Sequence, residues 1–194
     1  MLILVRHGET AANAARLLLG RADPPLTELG QRQAVAAGGG LGGAARLVSS
    51  PLIRARQTAE ALGLSVPVEV DDRWAEIDYG AYDNRPLDQV PGELWRRWRE
   101  DPAWRPAGGE SLADVGRRVG AACEDLVGEL AGSDVVVVSH VSPIKAAVAW
   151  ALGVGDGVAW RLHLGLAAIS RVDLRRGGPV LVSWNETTHL ARLP

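Results

Sequence analysis

Two runs of uninterrupted apolar residues frame the chain, Leu2-Ile3-Leu4-Val5 near its start and Val135-Val136-Val137-Val138 in its second half. A strand that is apolar at every position is buried on both faces, as in the middle of a parallel sheet. Both runs end alike. Arg6 and His7 follow the first, with Gly8 allowing a tight turn, and Ser139 and His140 follow the second. Such residues project from strand ends, where open α/β sheets bind their ligands.

Weaker patterns fill the space between. Thr10 to Gly20 reads as a loop that Asp23-Pro24-Pro25 closes. Thr27 suits the N-cap of a helix from about Glu28 to Ala37, ended by Gly38-Gly39-Gly40. A short strand, Arg46 to Val48, leads through Ser49-Ser50-Pro51 into a helix from about Leu52 to Leu62 with Arg54 in its first turn, and Val66 to Val70 is a further strand. From Asp71 to Gly109 the periodicity fades under Pro86, Pro91, Pro102 and Pro106; one helical piece, about Pro91 to Glu100, sets Leu94, Trp95 and Trp98 on one face. Residues 80–110 are therefore expected as an excursion beside the sheet.

The pattern then sharpens. Ser111 and Asp114 begin a helix reaching about Ala131, which Gly132-Ser133 ends, and Pro143 opens another that runs to about Leu152. Ala167 to Leu174 and Val180 to Trp184 read as strands joined through a Gly177-Gly178 turn. Strands alternating with helices imply right-handed crossovers and a mostly parallel sheet, with room for an antiparallel edge.

Composition narrows the class. A chain of 194 residues, 47% of them hydrophobic, can bury one substantial core, and no linker divides it, so residues 1–194 are expected to form a single domain. A formal charge of −2 argues against a nucleic-acid or membrane-surface partner, though not against a local basic pocket. Neither a signal-peptide pattern nor a membrane-spanning run is present, and a cytoplasmic location is expected. The single Cys123 falls in an apolar helical stretch and is expected in the core. His163, amid alternating leucines, and His189 are read as structural; Gly153, Gly155 and Gly157 follow no strand and do not form a nucleotide loop.

The chemistry collects at strand ends. Arg6, His7, Arg54 and His140 all lie in strand-to-helix turns, and in a parallel sheet those turns open on one edge. Forked guanidinium donors and imidazoles together make an anion pocket, for which phosphate is the natural guest.

On these residues the sequence resembles the histidine phosphatase, or phosphoglycerate-mutase-like, family. The resemblance rests on LVRHGETAAN (4–13), DPPLTELGQRQA (23–34), SSPLIRARQTAEAL (49–62), WAEIDYGAYD (74–83), VVSHVSPIKA (137–146) and NETTHL (185–190), in the expected order along almost the whole chain. It implies an α/β three-layer sandwich with a mostly parallel sheet and helices on both faces, and a metal-independent phosphomonoester hydrolase without cofactor. It further implies that His7 is the nucleophile, that Arg6, Arg54 and His140 hold the transferring phosphoryl group, and that Glu76 is the proton donor and later the base. Asp78 is the competitor by residue type, and burial beside Trp74 or Ile77 is the expected means of keeping Glu76 partly protonated. Asn13, Arg21 and Thr10 fall where substrate contacts are placed in the family.

Two departures stand out. Tyr82 and Asp83 replace the tryptophan and glutamate common after the acid-bearing loop, and Val141, Ser142, Pro143 and Lys145 replace a glycine-rich segment after the second histidine. The rivals to hydrolysis of a small phosphorylated metabolite are a phosphoglycerate mutase, usually built with larger insertions, and a non-catalytic phospholigand binder. Residues 80–110, including Trp95 and Trp98 as packing or as stacking platforms, are expected to cover the substrate and decide its identity. Oligomeric state is open, with a homodimer the common form if the chain self-associates. With no metal-ligand spacing in the sequence, turnover of p-nitrophenyl phosphate is expected to persist in chelator; a restored requirement for added divalent cation would contradict the resemblance.

Overall fold

The structure, a computed structural model, describes residues 1–127, 132–175, 178–191 and 193. Its frame is one six-stranded sheet: β1 (Leu2–Arg6), β2 (Arg46–Ser49), β3 (Val68–Val70), β4 (Val135–Ser139), β5 (Ile169–Arg175) and β6 (Gly178–Glu186), in the order β3-β2-β4-β1-β5-β6. The pairs β3–β2, β2–β4 and β4–β1 are parallel, while β5 and β6 close one edge in antiparallel fashion. The helices are α1 (Ala11–Ala14), α2 (Glu28–Gly38), α3 (Ile53–Ala61), α4 (Gly92–Glu100), α5 (Leu112–Val127) and α6 (Val141–Leu152).

Chain direction explains the layers. From β1 the parallel crossovers through α2 and α3 move toward β2 and β3, and from β3 the parallel crossover through α5 returns the opposite way to β4, with α6 on the same face as α5. Right-handed crossovers running in opposite directions must lie on opposite faces. Accordingly Ile3, Val5, Val136 and Val138 pack with Ala37, Ala55 and Ala59 of α2 and α3, whereas Leu2, Leu4, Val135 and Val137 pack with Val119, Cys123, Ile144 and Val148 of α5 and α6. The three-layer architecture expected from the sequence is the one found.

Register follows from the apolar runs. Leu2 pairs with Val135 and Arg6 with Ser139, which brings the ends of β1 and β4 side by side. These neighbours are also the strands from which the chain departs to opposite faces, so the crevice of the sheet opens between them. His7 and His140 stand one residue beyond each.

Several boundaries differ from the sequence reading for physical reasons. The segment after Thr10 is not all loop, because the Thr10 side chain accepts from the Asn13 N–H and Asn13 Oδ1 accepts from the Thr10 N–H, a capping box that nucleates α1. Helix α6 starts at Val141, two residues before Pro143, which sits in the first turn where its missing N–H costs nothing. Strand β5 starts at Ile169 rather than Ala167, and β3 is shortened to Val68–Val70. The predicted end of α5 at Ala131 and the Gly177 half of the hairpin turn lie outside the described residues.

Between Gly80 and Gly109 the chain makes short 3-10 turns at Gly80–Tyr82 and Leu87–Gln89, followed by α4. Leu94 and Trp98 are buried there with Leu18 and Val90, and Trp95, Trp104 and Trp160 pack against them. Cys123 is buried, and desolvation pushes its thiol up to about 12, as befits a core residue. His163 is exposed, and His189 Nε2 lies 3.0 Å from the Ala167 carbonyl, an ordinary structural bond.

One close approach fixes the turn after β1. A Cβ on Gly8 would lie 2.3 Å from the Gly30 carbonyl oxygen, and one on Gly30 would lie 2.1 Å from that of Glu9. Both clashes are with backbone, so neither can be relieved by a rotamer change. Gly30→Ala is expected to destabilise the fold by about 1–3 kcal/mol in urea unfolding; an unchanged midpoint would show that the turn yields freely.

Candidate active site

His7 is held at three points before its side chain is considered. Its N–H donates to the Ser139 carbonyl at 3.0 Å, its carbonyl accepts from the Ala167 N–H at 3.1 Å, and the next N–H, that of Gly8, donates to Thr58 Oγ1 of α3 at 3.1 Å. The ring Nδ1 lies 2.7 Å from the Gly8 carbonyl oxygen. A carbonyl can only accept, so Nδ1 carries the proton and Nε2 keeps its lone pair. The His140 ring sits with its centroid 5.0 Å from that of His7.

Burial sets the electrostatics. His7 and His140 are 3% and 0% exposed, and both titrate well below the usual 6.5. Desolvation is the main cause for each; Arg54 and Arg6 add to it, and for His140 so does His7. Both rings are therefore neutral at pH 7. His140 Nε2 lies 2.7 Å from Ser50 Oγ, at the end of β2, and its Nδ1 is buried without a partner.

The arginines are fixed by backbone carbonyls. Arg54, the second residue of α3 and fully buried, donates from Nη1 to Ala22 O and from Nη2 to Gly20 O, each at 2.8 Å. Asp83 accepts from the N–H groups of the same two residues, Gly20 and Ala22, each at 2.6 Å. The Gly20–Ala22 segment is thus gripped on one edge by Arg54 and on the other by Asp83. Arg6 donates from Nη1 to the Leu164 carbonyl at 2.7 Å, and burial, offset in part by Glu76, lowers its pKa to about 10. The Nε atoms of Arg6 and Arg54 are buried with no partner among the described residues.

Glu76 is 3% exposed and is met by donors rather than by hydrocarbon. Its Oε1 accepts from the N–H groups of Ile77 at 2.8 Å and Ser142 at 3.1 Å, and its Oε2 accepts from that of Val141 at 3.1 Å. Two of these donors are the first free N–H groups of α6, at its positive end. The apolar setting anticipated beside Trp74 and Ile77 is corrected accordingly: both are buried, but the carboxylate oxygens face backbone amides. Ser139 Oγ donates to the Trp74 carbonyl at 2.6 Å, and Arg118 donates to the carbonyls of Arg73 and Glu76, tying the acid-bearing segment to β4 and α5. Asp78, the competitor, spends Oδ1 on the Gly80 N–H at 2.7 Å.

The structure therefore brings together Arg6, His7, Arg54, Glu76 and His140 from strand ends, a helix start and one loop. It places the remaining candidates differently. Thr10 is fully buried, and its hydroxyl donates to Asn13 Oδ1 at 2.9 Å, so the two side chains serve each other and leave the Asn13 amide protons for a ligand. Arg21 is exposed at the rim and pairs with Glu110 at 3.1 Å. Ser50 and Tyr79 were not singled out from the sequence. Ser50 ends a strand just as His7 does, a signal that was present; Tyr79, whose hydroxyl meets that of Ser142, carried none. Among the described residues no group of three His, Cys, Asp or Glu side chains is arranged to hold a metal ion.

Comparison with known proteins bears directly on this constellation. The sequence profile described as Histidine phosphatase superfamily (branch 1) matches residues 2–187. The chain belongs to that superfamily. Within it, the chain is 42% identical over 198 aligned positions to the bifunctional protein Rv2228c of Mycobacterium tuberculosis, covering 97% of this chain and 54% of that protein. It thus spans about half the length of that relative. It is 37% identical to the probable phosphoglycerate mutase GpmB of Yersinia pestis, covering 96% of this chain and 93% of that one. Among superfamily structures, the mycobacterial glucosyl-3-phosphoglycerate phosphatase Rv2419c in complex with VO3 superposes with a TM-score of 0.87 at 34% identity, covering 96% and 98% of the two chains.

The buried neutral imidazoles carry a pH signature. Their folded pKa values lie below the unfolded value of 6.5, so the unfolded chain binds more protons as pH falls. Their contribution to stability is full above pH 6.5 and is lost as pH drops from there through the folded values. Proton NMR titration of the free protein is expected to give midpoints below 6.5 for both rings, and a midpoint at or above 6.5 for His7 would overturn the electrostatic description.

Proposed function

We propose that the protein is a phosphomonoester hydrolase of small phosphorylated metabolites that works through a phosphohistidine at His7. The observation that carries this reading is a set of buried donors without acceptors. Arg6 Nε, Arg54 Nε and His140 Nδ1 belong to residues clustered with His7, and buried polar groups are ordinarily satisfied. An oxygen-rich anion supplies the missing acceptors. Ser50 Oγ lies 2.7 Å from His140 Nε2, and in the tautomer where that hydroxyl donates, the ring proton sits on Nδ1 as a third donor.

The steps follow from this arrangement. His7 Nε2 attacks phosphorus in line, the bond from phosphorus to the ester oxygen breaks, and Glu76 delivers its proton to the departing alkoxide. Arg6, Arg54 and His140 hold the equatorial oxygens through the loose transition state, replacing a cation in that task. Glu76, now a carboxylate, takes a proton from water as that water attacks the phosphohistidine, and inorganic phosphate leaves. The amides of Ile77, Val141 and Ser142 fix the position of the Glu76 oxygens for both proton transfers. Asn13 and Arg21, at the rim, contact substrate, and Thr10 positions Asn13.

The setting is consistent with this chemistry. A net charge of −2 coexists with inward-facing arginines, which suits a small anion and not a nucleic acid. Among the described residues no helix is long and apolar enough to cross a membrane; action in the cytoplasm without a membrane partner is part of the proposal. A homodimer is the assembly proposed.

A second reading is favoured by one observation, the likeness to a probable phosphoglycerate mutase. Given 3-phosphoglycerate and a bisphosphate primer, the protein is expected to release inorganic phosphate; accumulation of 2-phosphoglycerate would decide for the isomerase. His7→Ala is expected to abolish turnover and the acid-labile, base-stable phosphoenzyme seen after rapid quench, and retained turnover would sink the His7 assignment. Glu76→Gln should lower kcat/KM about 10²–10⁴-fold for alkyl phosphates and much less for p-nitrophenyl phosphate, whose leaving group needs no proton. Equal losses on both would remove Glu76 from the acid role.

A further inference from the structure

Beside Glu76 lies a cavity of about 140 Å³ lined by Tyr79, Trp95, Trp98, Trp160, Ser142 and Lys145, with Val141 on the same wall. It adjoins the reaction centre directly, since the N–H groups of Val141 and Ser142 are those that hold Glu76. Its aromatic walls come from different elements and brace one another. Trp95 and Trp98 stand on α4, Trp160 on the 3-10 turn Asp156–Arg161, and the Trp160 N–H donates to the Trp98 carbonyl at 3.2 Å. Tyr79 meets Trp98, and Trp95 meets Trp160, at close to right angles with centroids 5.5 and 6.1 Å apart. Outside the cavity Arg99 lies over the Trp160 ring at 5.5 Å. Walls fixed this way lose little freedom when a ligand enters.

The polar inventory of the cavity is lopsided. Lys145 is the only charged residue among those lining it, and it makes no hydrogen bond or ion pair with any described residue. Burial lowers its pKa, Glu76 opposes the shift and Arg6 adds to it. Trp98, 1% exposed, has an indole N–H without an acceptor. The Ser142 hydroxyl lies near that of Tyr79, on the same cavity lining. Among the described residues, two that line this aromatic box, Lys145 and Trp98, thus carry donors without a partner, which for the buried indole is costly unless a ligand brings an acceptor. In size, a cavity of about 150 Å³ accommodates one benzene ring.

We infer that this cavity receives the alcohol half of the phosphomonoester, and that the ester it is built for carries a single flat or apolar ring-sized body bearing an anionic group set against Lys145 and the Trp98 N–H. The inference rests on the hydrolase reading, because only there does the alcohol half lie next to Glu76. Lys145 is a specificity-determining residue in this description; it selects the alcohol and takes no part in transfer of the phosphoryl group.

The test compares 4-carboxybenzyl phosphate with 4-methylbenzyl phosphate, which differ in charge and hardly in shape. The wild-type protein is expected to favour the carboxylate ester by about tenfold or more in kcat/KM, the worth of a charge-assisted hydrogen bond in a partly buried site. That ratio should fall close to one in Lys145→Gln and return in Lys145→Arg, with the change carried mainly by KM. The same preference should appear without turnover, as tighter binding of 4-(hydroxymethyl)benzoate than of 4-methylbenzyl alcohol by tryptophan fluorescence. No preference in the wild type, or a ratio unchanged in Lys145→Gln because both esters lose equally, overturns the assignment and places Lys145 with the phosphoryl group or the fold. Preferential binding of the benzoate without any phosphate release would instead refute the hydrolase reading and leave the cavity assignment standing.

Discussion

The parallel pairing of β1 with β4 is the contact on which the remaining geometry hangs. Its register sets Arg6 opposite Ser139, and the chain leaves the two strands toward opposite faces of the sheet. A gap between connections that diverge is unavoidable there, and the first side chains available to fill it are His7 and His140. Because both strands are apolar on both faces, they cannot slip by one residue without exchanging the helices they pack against. The hydrophobic core thus supplies positional accuracy to a polar site that would otherwise repel itself apart.

That repulsion is considerable, since Arg6 and Arg54 lie within electrostatic reach of each other and of two imidazoles. Three devices hold the charges in place. Backbone carbonyls of Gly20, Ala22 and Leu164 absorb the outward edges of the guanidiniums, burial keeps the imidazoles neutral, and Glu76 supplies the opposing charge from a cradle of amides. The grip of Asp83 and Arg54 on the Gly20–Ala22 segment adds a mechanical link. Asp83 belongs to the excursion that walls the aromatic cavity, and Arg54 to the cluster around His7, so the excursion is anchored to that cluster.

Much of this was legible before any coordinates. The two apolar runs announce themselves because a central parallel strand needs no alternation, and Thr27, with its helix, needs only local chemistry. The histidines and Arg54 could be placed on one edge because topology follows from alternating elements. What stayed hidden depends on contacts between distant segments. Pro143 reads as a helix start, yet the helix begins at Val141, and it is that shift that delivers two amides to Glu76. The mutual capping of Thr10 and Asn13, which holds the Asn13 side chain in place, likewise shows only in three dimensions. Ser50 and Tyr79 owe their importance to His140 and Ser142, which no spacing along the chain reveals.

The order of strands in the sheet also bears on how the molecule comes into being. Strands β1, β2 and β3 are synthesised first, but β1 and β2 never touch; β4 is inserted between them much later in the chain. A growing polypeptide that has not yet produced β4 holds two sheet edges with nothing to pair with, and its His7 has no Ser139 carbonyl to hold its N–H. Closing that gap joins segments far apart in sequence, the kind of step that sets folding rates in topologies rich in long-range pairing. Assembly of the site and completion of the core are consequently one event.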